Sequence, residues 1–169
     1  MAKFVYLSLE DFRTICDELQ TFFKKHNDPI PTFDHSYFDK LDSVINTPKK
    51  TFDRRELYPS IYDKAACYFY FINKFHPFNN GNKRISIVST GVFLMFNGVD
   101  MNATEDEIYA FAKQITISDK KQKHDFNDVV HFIKKHSKKE SEQRRATFSS
   151  LFGEVIKIVE KIRSFRLPI

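Results

Sequence analysis

A nine-residue stretch near the middle of the chain, His76-Pro77-Phe78-Asn79-Asn80-Gly81-Asn82-Lys83-Arg84, combines an imidazole, turn-forming residues and two cations. An imidazole titrates near neutral pH and can accept the proton of an attacking hydroxyl. Lysine supplies a point charge to a phosphate, whereas arginine can clamp two phosphate oxygens with its planar guanidinium. Together these residue types predict transfer of a phosphoryl or nucleotidyl group from a polyphosphate to a hydroxyl.

Two predicted helices position this stretch. Before it, apolar residues recur at helical spacing, namely Ile61, Ala65, Phe69, Ile72 and Phe75, which puts His76 at the C-terminal end of a helix. Pro77 cannot continue that helix, and from about Asn82 a second helix is apolar nearly all round, as a buried central helix is. The first N–H groups of a helix lack intrahelical partners, so Lys83 and Arg84 in that first turn indicate an anion site.

The nine residues resemble the signature loop of the Fic/Doc family, which usually reads His-x-Phe-x-Asp/Glu-Gly/Ala-Asn-Gly/Lys-Arg. Ala65-Ala66 before the loop and Phe93-Leu94-Met95-Phe96-Asn97-Gly98 after it fit as well. The resemblance is most specific over residues 61–98 and looser across about 5–136. It implies an all-α fold, a helical bundle around a central buried helix, with a small β-hairpin flap within residues 47–60.

The last part of the chain lies outside the resemblance. We therefore expect a Fic/Doc domain over residues 1–136 and a C-terminal helical extension over 137–169, packed on the same domain. The final helix carries an apolar stripe with lysines and glutamates opposite it, and the stripe consists of Phe148, Leu151, Phe152, Val155, Ile156, Val159 and Ile162. A dimer or antitoxin surface is the alternative use of this stripe.

The resemblance also implies roles for individual residues. His76 matches the general base, and Phe78 matches the side chain that anchors the loop in the core. The catalytic pair is then His76 and Arg84, and the phosphate-binding set is Gly81, Asn82, Lys83 and Arg84. Asn80 stands where the family normally has the Asp or Glu that holds the Mg²⁺ of the nucleotide. Asparagine keeps one carbonyl oxygen but has no charge, so we expect Mg²⁺ to be held weakly.

The family supplies the expected activity. Fic proteins mostly transfer AMP from ATP to a target hydroxyl, whereas the Doc branch carries Lys at the position of Lys83 and phosphorylates elongation factor Tu. We expect a transferase that uses ATP as co-substrate to modify a Ser, Thr or Tyr hydroxyl of a target protein such as a translation factor. It would be the toxin of a toxin–antitoxin pair. The alternative is a catalytically impaired binding or regulatory module of Fic fold, because Asn80 replaces the carboxylate.

The composition of the chain limits the class of protein to which it can belong. The chain has 169 residues, 41% of them hydrophobic and 29% charged, which predicts one globular domain with a genuine core. No run of 18 apolar residues indicates a membrane span, and the N-terminus lacks the pattern of a signal peptide, so we expect a cytoplasmic protein. Cys16 and Cys67 lie in helical patterns without metal-ligand spacing and are expected to be buried thiols.

Two further patterns have competing interpretations. Residues 134–145 are strongly basic, which is typical of a solvated helical face. A nucleic-acid contact is the alternative, although the aromatic residues that would support single-strand binding are missing there. Thr14-x-x-x-Glu18 and Ser150-x-x-x-Glu154 match the first half of the inhibitory motif of some Fic proteins. Leu and Val follow them where Gly or Asn should stand, so we expect control by a separate antitoxin chain.

Overall fold

The computed structural model describes residues 4–24, 30, 33, 37–139 and 151–166. This part of the chain is predominantly helical, and its helices are α1 (Leu9–Lys24), α2 (Phe38–Asn46), α3 (Ile61–Phe75), α4 (Asn82–Phe96), α5 (Glu105–Ile117), α6 (Gln122–Lys135) and α7 (Leu151–Arg166). Four short strands form two antiparallel pairs, β1 (Thr51–Phe52) with β2 (Arg55–Glu56), and β3 (Val99–Met101) with β4 (Ser137–Lys139). The all-α prediction is confirmed.

Helix α4 lies at the centre of the bundle and packs against α1, α3, α5 and α7. Ten consecutive residues, 85–94, are buried, which confirms the central helix predicted from its all-round apolar character. Three of these ten residues, Ser86, Ser89 and Thr90, are polar, and each hydroxyl donates to a carbonyl of its own helix. These internal hydrogen bonds allow polar side chains to occupy the core without an unsatisfied donor.

Capping boxes fix where two of the helices begin. Ser60 precedes α3 and exchanges hydrogen bonds with Asp63, and Thr104 precedes α5 and does the same with Glu107. Each box satisfies N–H groups that the first helical turn would otherwise leave unpaired. Thr104 and Glu107 stand three positions apart in the sequence, as such a box requires. Helix α3 ends where the loop 76–84 begins, so the Ser60 box, by fixing the start of α3, also helps to fix the position of that loop.

The predicted flap is present as the antiparallel pair β1–β2, in which Thr51 lies opposite Glu56 and Phe52 opposite Arg55. Asp53 and Arg54 form the turn with positive φ values of 47° and 59°, as a two-residue hairpin turn of this twist requires. Lys64 of α3 holds the pair in place. Its side chain is 1% exposed, and its ammonium contacts Glu56 at 3.1 Å and donates to the Pro48 carbonyl at 3.2 Å.

The second strand pair was not predicted. Strand β4 runs antiparallel to β3, with Lys138 opposite Asp100 and Ser137 opposite Met101. The interpretation of residues 134–145 as one helical face is therefore wrong for Ser137–Lys139. Helix α6 ends at Lys135 and the chain turns into an extended strand, while residues 140–145 lie outside the described part.

The start of the second helix does not follow the apolar pattern. Phe33, Tyr37 and Leu41 are spaced as in one helix, yet α2 begins at Phe38 and is followed by a 3₁₀ turn at Thr47–Lys49. Phe33 lies outside any regular element and packs by its ring against Phe78, 6.3 Å away between centroids. Phe33 thus packs against the core although it does not belong to the helix that its spacing suggests.

Helix α7 packs against α1 and α4. Val155, Val159 and Ile162 of the predicted stripe are buried, together with Ile158. Phe148 lies outside the described residues, and Ile156 is only partly buried. Val155 approaches α4 at Gly91, where an added Cβ would lie 3.3 Å from a Val155 methyl group. The division at residues 136 and 137 stays a prediction.

Within the described part of the chain, no helix is both long enough and apolar enough to cross a membrane. Cys16 and Cys67 are free thiols in the core, as predicted. Burial raises the pKa of both thiols well above the ordinary value, which keeps them protonated.

Candidate functional site

The loop begins at His76, which ends α3 in a left-handed conformation with φ 45° and ψ 64°. Its backbone N–H still donates to the Ile72 carbonyl at 3.2 Å, so the helical hydrogen bonding continues to this residue. The imidazole is exposed, whereas Pro77 immediately after it is buried. A positive φ at a non-glycine residue is uncommon and typically costs about 1–3 kcal/mol, and such residues cluster at functional sites.

Phe78 and Asn82 close the loop on itself. The Asn82 side chain accepts from the Phe78 N–H at 3.1 Å and donates to the Phe78 carbonyl at 2.7 Å. The ring of Phe78 is buried and packs 6.3 Å from the ring of Phe12 in α1. Phe78 therefore has the surroundings expected of an anchor. Asn82 uses its amide group to hold the loop, which leaves its backbone N–H, at the first position of α4, as the group that could face a phosphate.

Gly81 supplies the conformation that starts α4. Its φ is 76°, and its carbonyl accepts the first hydrogen bond of the helix from Ile85 at 2.9 Å. On the side where another residue would carry Cβ, the added atom would lie 2.9 Å from Cγ2 of Ile30. Both the backbone angle and the contact with Ile30 therefore favour glycine at this position.

Asn80 was predicted as a weak Mg²⁺ ligand. Its side-chain Oδ1 accepts a hydrogen bond from the Gly81 N–H at 2.7 Å, which occupies one of the two lone pairs of that oxygen. Within the described ranges, no three His, Cys, Asp or Glu side chains are close enough together to hold a metal ion. Hard cations prefer carboxylates, and residues 76–84 contain none. The role of Asn80 as a weak Mg²⁺ ligand stays a prediction.

Lys83 and Arg84 occupy the first turn of α4, as predicted, and both side chains are partly buried. The guanidinium carbon of Arg84 lies over the ring of Phe23, 4.1 Å from its centroid. Phe23 is in the last turn of α1 and was not predicted to belong to the site. In the sequence it is one more member of an apolar helical stripe, so no local signal marks it out.

Buried polar side chains connect the two helices that flank the loop. Asn73 of α3 donates to the Ser86 hydroxyl at 2.7 Å, and Ser86 donates to the Lys83 carbonyl at 2.7 Å. Two residues before the loop, Lys74 forms an ion pair of 3.2 Å with the buried Asp125 of α6. The Asn73–Ser86 bond fixes how the end of α3 approaches the start of α4, and the ion pair fixes the end of α3 against α6. Neither contact was predicted from the sequence.

The hairpin β1–β2 presents apolar side chains to solvent. Phe52 is 75% exposed and Leu57, just after β2, is 51% exposed. Tyr58 follows and packs its ring 5.4 Å from that of Phe126. Burial raises the pKa of Tyr58 to about 12, so its hydroxyl remains protonated near neutral pH and cannot act there as a base. A surface of this kind suits contact with another polypeptide.

The other sequence candidates lie elsewhere. Glu18, the acidic residue of the first inhibitory half-motif, forms an ion pair with Lys161 of α7. Ser150 is outside the described residues. His136 stacks on Phe132, with 4.5 Å between ring centroids, in the manner of a structural residue. The proposed nucleic-acid contact of the basic segment stays a prediction.

Taken together, the loop places an exposed imidazole, a helix N-terminus and two cations on one short segment held by buried contacts. Such a segment can bind a polyphosphate through the cations and backbone N–H groups and offer a base to a neighbouring hydroxyl. Residues 76–84 thus combine an exposed imidazole with groups that can bind phosphate.

Comparison with known proteins agrees with this geometry. The family model described as "Fic/DOC family" matches residues 6–94, slightly more than half of the chain and including the whole loop. The protein Toxin Doc of Mycolicibacterium smegmatis (strain ATCC 700084 / mc(2)155) is 33% identical to the chain over 66 residues. The match covers 39% of this chain and 51% of that protein, so the chain spans about half the length of this curated relative. No solved structure gives a significant match.

Proposed function

The chain belongs to the Fic/DOC family, and from this premise we propose that it transfers a phosphate or AMP from ATP to a Ser, Thr or Tyr hydroxyl of a target protein. The proposal is supported above all by the strained, exposed His76 beside the first turn of the buried helix α4, where Lys83 and Arg84 lie. Lys83 favours phosphate transfer over AMP transfer, because Doc-type loops resemble this one in carrying Lys there.

In the proposed reaction, the imidazole of His76 accepts the proton of the target hydroxyl. The hydroxyl oxygen forms a bond to a phosphorus atom of ATP while the bond from that phosphorus to its bridging oxygen breaks. Attack at the γ-phosphorus releases ADP, and attack at the α-phosphorus releases pyrophosphate. Lys83, Arg84 and the first-turn N–H groups of α4 stabilise the charge on the phosphate oxygens.

We propose that the target binds along the hairpin β1–β2. The edge of a short strand can pair with an extended peptide through backbone hydrogen bonds and reads little of its sequence. The exposed Phe52 and Leu57 add apolar contact area at the same place. The name of the Mycolicibacterium relative supports a toxin, and hence a partner antitoxin that restrains it.

The test is a transfer assay with a matched pair of histidine substitutions. Purified chain, ATP and elongation factor Tu are incubated, and intact-mass spectrometry distinguishes an added phosphate from an added AMP. His76→Asn keeps a residue that tolerates positive φ but removes the base, so transfer should fall by about 10²–10⁴-fold. His124→Asn alters an exposed histidine of α6 and should leave the rate unchanged.

Binding and transfer must be measured separately for these variants. His76→Asn should still bind ATP with an unchanged dissociation constant, because the phosphates contact the cations and the N-terminus of α4. Full transfer activity in His76→Asn would show that the base is another group. Loss of ATP binding in the same variant would instead make His76 part of the nucleotide site.

A second function is favoured by the hydrogen bond between Asn80 and Gly81. Because the uncharged Asn80 oxygen already accepts one hydrogen bond within the turn, the loop can hold a nucleotide while offering a metal less than a carboxylate would. The chain would then be a binding or regulatory module. Asn80→Asp retains an oxygen for the Gly81 N–H and adds a second, charged one. Transfer that appears only in Asn80→Asp would establish this alternative.

A further inference from the structure

Arg84 rests against an aromatic ring that belongs to a different helix. Its guanidinium carbon is 4.1 Å from the centroid of the Phe23 ring, closer than in any other cation–aromatic pair within the described residues. Phe23 is only partly buried, so contact with the core does not fully account for its position. The N–H donors of a guanidinium lie in its plane, whereas a ring beneath it contacts the face of that plane. The guanidinium of Arg84 can therefore contact the Phe23 ring with its face and a phosphate with its edge at the same time.

The place of Phe23 is fixed by further contacts between α1 and the loop. Phe12, three turns before it, packs against the loop anchor Phe78. Gln20, one turn before it, donates to the Ile30 carbonyl at 3.3 Å, and Ile30 lies against Gly81. Helix α1 thus contacts the beginning of the loop, the middle through Ile30, and the end through Phe23.

Helix α1 is also held by the C-terminal helix. Helix α7 packs against α1, and Lys161 forms an ion pair with Glu18, which lies little more than one turn from Phe23. Because α1 contacts both the loop and α7, the segment that carries Phe23 is fixed by contacts with two other elements. The Phe23 ring is thus carried on a well-packed helix beneath the long, flexible side chain of Arg84.

We propose that Phe23 is a positioning residue for Arg84: its ring holds the guanidinium in the orientation in which that group receives the phosphates of ATP. This inference rests on the proposed function, since it requires Arg84 to bind phosphate. Arginine loses much rotamer freedom when it is fixed, and a side chain that is already oriented loses less of it on binding. Phe23 acts on the nucleotide only through Arg84.

The experiment measures ATP affinity by calorimetry on the full chain. Phe23→Leu keeps an apolar side chain but removes the aromatic face, and it should raise the dissociation constant of ATP about fivefold. Phe23→Tyr retains the face and should bind ATP within about twofold of the unsubstituted chain. Tyr109→Leu removes the ring beneath Lys113 on α5, where the ammonium lies 4.8 Å from the ring centroid, and should change nothing. Urea unfolding of each variant checks that all are folded at the assay temperature.

A double-substitution cycle separates positioning from a general effect on the fold. In an Arg84→Ala background, Phe23→Leu should cause no further loss of ATP affinity, because the group it orients is gone. An equal loss in both backgrounds overturns the inference, since Phe23 would then act on the loop as a whole. Tighter ATP binding by Phe23→Leu also overturns it, because the ring would be holding Arg84 away from the phosphates.

The same measurements distinguish this inference from the proposed function. If the unsubstituted chain binds ATP and Arg84→Ala weakens it, while Phe23→Leu binds as well as the unsubstituted chain, only the role of Phe23 is refuted. If the unsubstituted chain binds no ATP, the proposed function is refuted and the inference fails with it.

Discussion

Replacing Gly81 by alanine tests whether the side chain of Ile30 packs directly against the loop at this residue. Gly81 has a φ of 76°, which L-residues rarely adopt, and an added Cβ would lie 2.9 Å from Cγ2 and 3.3 Å from Cδ1 of Ile30. Ile30 is 1% exposed, so its side chain has little room to move away. The substitution therefore combines a backbone penalty with a steric one.

Gly98 offers a matched control for the backbone penalty. It follows α4 with a φ of 72°, and nothing lies within 4 Å of an added Cβ. A left-handed alanine costs about 1–2 kcal/mol, offset by about 0.4–1 kcal/mol because alanine also restricts the unfolded chain. Gly98→Ala should thus lower the free energy of unfolding by about 1 kcal/mol. Gly81→Ala adds overpacking of about 1–3 kcal/mol and should lower it by about 2–4 kcal/mol in total.

Urea unfolding followed by circular dichroism gives both values. The steric part can be isolated by repeating Gly81→Ala in an Ile30→Ala background, where the two methyl groups that the new Cβ would meet are absent. There the penalty should fall to that of Gly98→Ala. Equal penalties for Gly81→Ala and Gly98→Ala in the unsubstituted chain would refute the contact between Ile30 and the loop. The contact of α1 with the loop through Ile30, one of those proposed to fix Phe23, would then be refuted as well.

Three further predictions concern other parts of the chain. Cys16 and Cys67, whose burial raises their pKa, should not react with a thiol reagent at pH 8 in the folded chain, and both should react in urea. Hydrogen bonds from the N-cap residue of α5 lower the pKa of Glu107 below its ordinary value of 4.5, so its ionised form stabilises the fold above that pH. The stability advantage over Glu107→Gln should therefore shrink as pH falls below 4.5 through the folded-state pKa, as measured by thermal unfolding. Lys64→Met keeps the buried stem but removes the ion pair with Glu56, so amide hydrogens of the hairpin should exchange faster while those of α4 do not.

The parts of the fold that were predictable have local causes. The apolar spacing before His76, the turn chemistry after it and the capping box at Thr104 each depend on residues a few positions apart. Each such signal lies within one segment of the chain, which is why α3 and α4 follow their predictions closely. The hairpin was predicted from the resemblance and from its place before the loop, and its two strands of two residues carry no periodic pattern of their own.

What the sequence did not predict depends on contacts between distant segments. Strand β4 pairs with β3 almost forty residues away, and its lysines look the same whether they lie on a helical face or on a strand. The contact of Phe23 with Arg84 spans sixty residues, and in α1 a phenylalanine at helical spacing indicates only that it packs against something. The residue pattern of a segment predicts whether it forms a helix or a strand. Which side chains it contacts is known only from the folded structure.

Backbone strain supplies a last argument about the loop. Among the described residues, the non-glycine residues with positive φ are Asp53, Arg54 and His76. The hairpin turn accounts for the first two, because a two-residue turn of that twist needs left-handed residues. Nothing comparable requires histidine at the end of α3, where glycine would adopt the same angles without a Cβ penalty. Packing does not require it either, since the ring is exposed. The strained backbone therefore supports the proposed role of His76 as the base. Asparagine there is equally suited to the backbone but unable to take the proton, so His76→Asn tests that role without disturbing the fold.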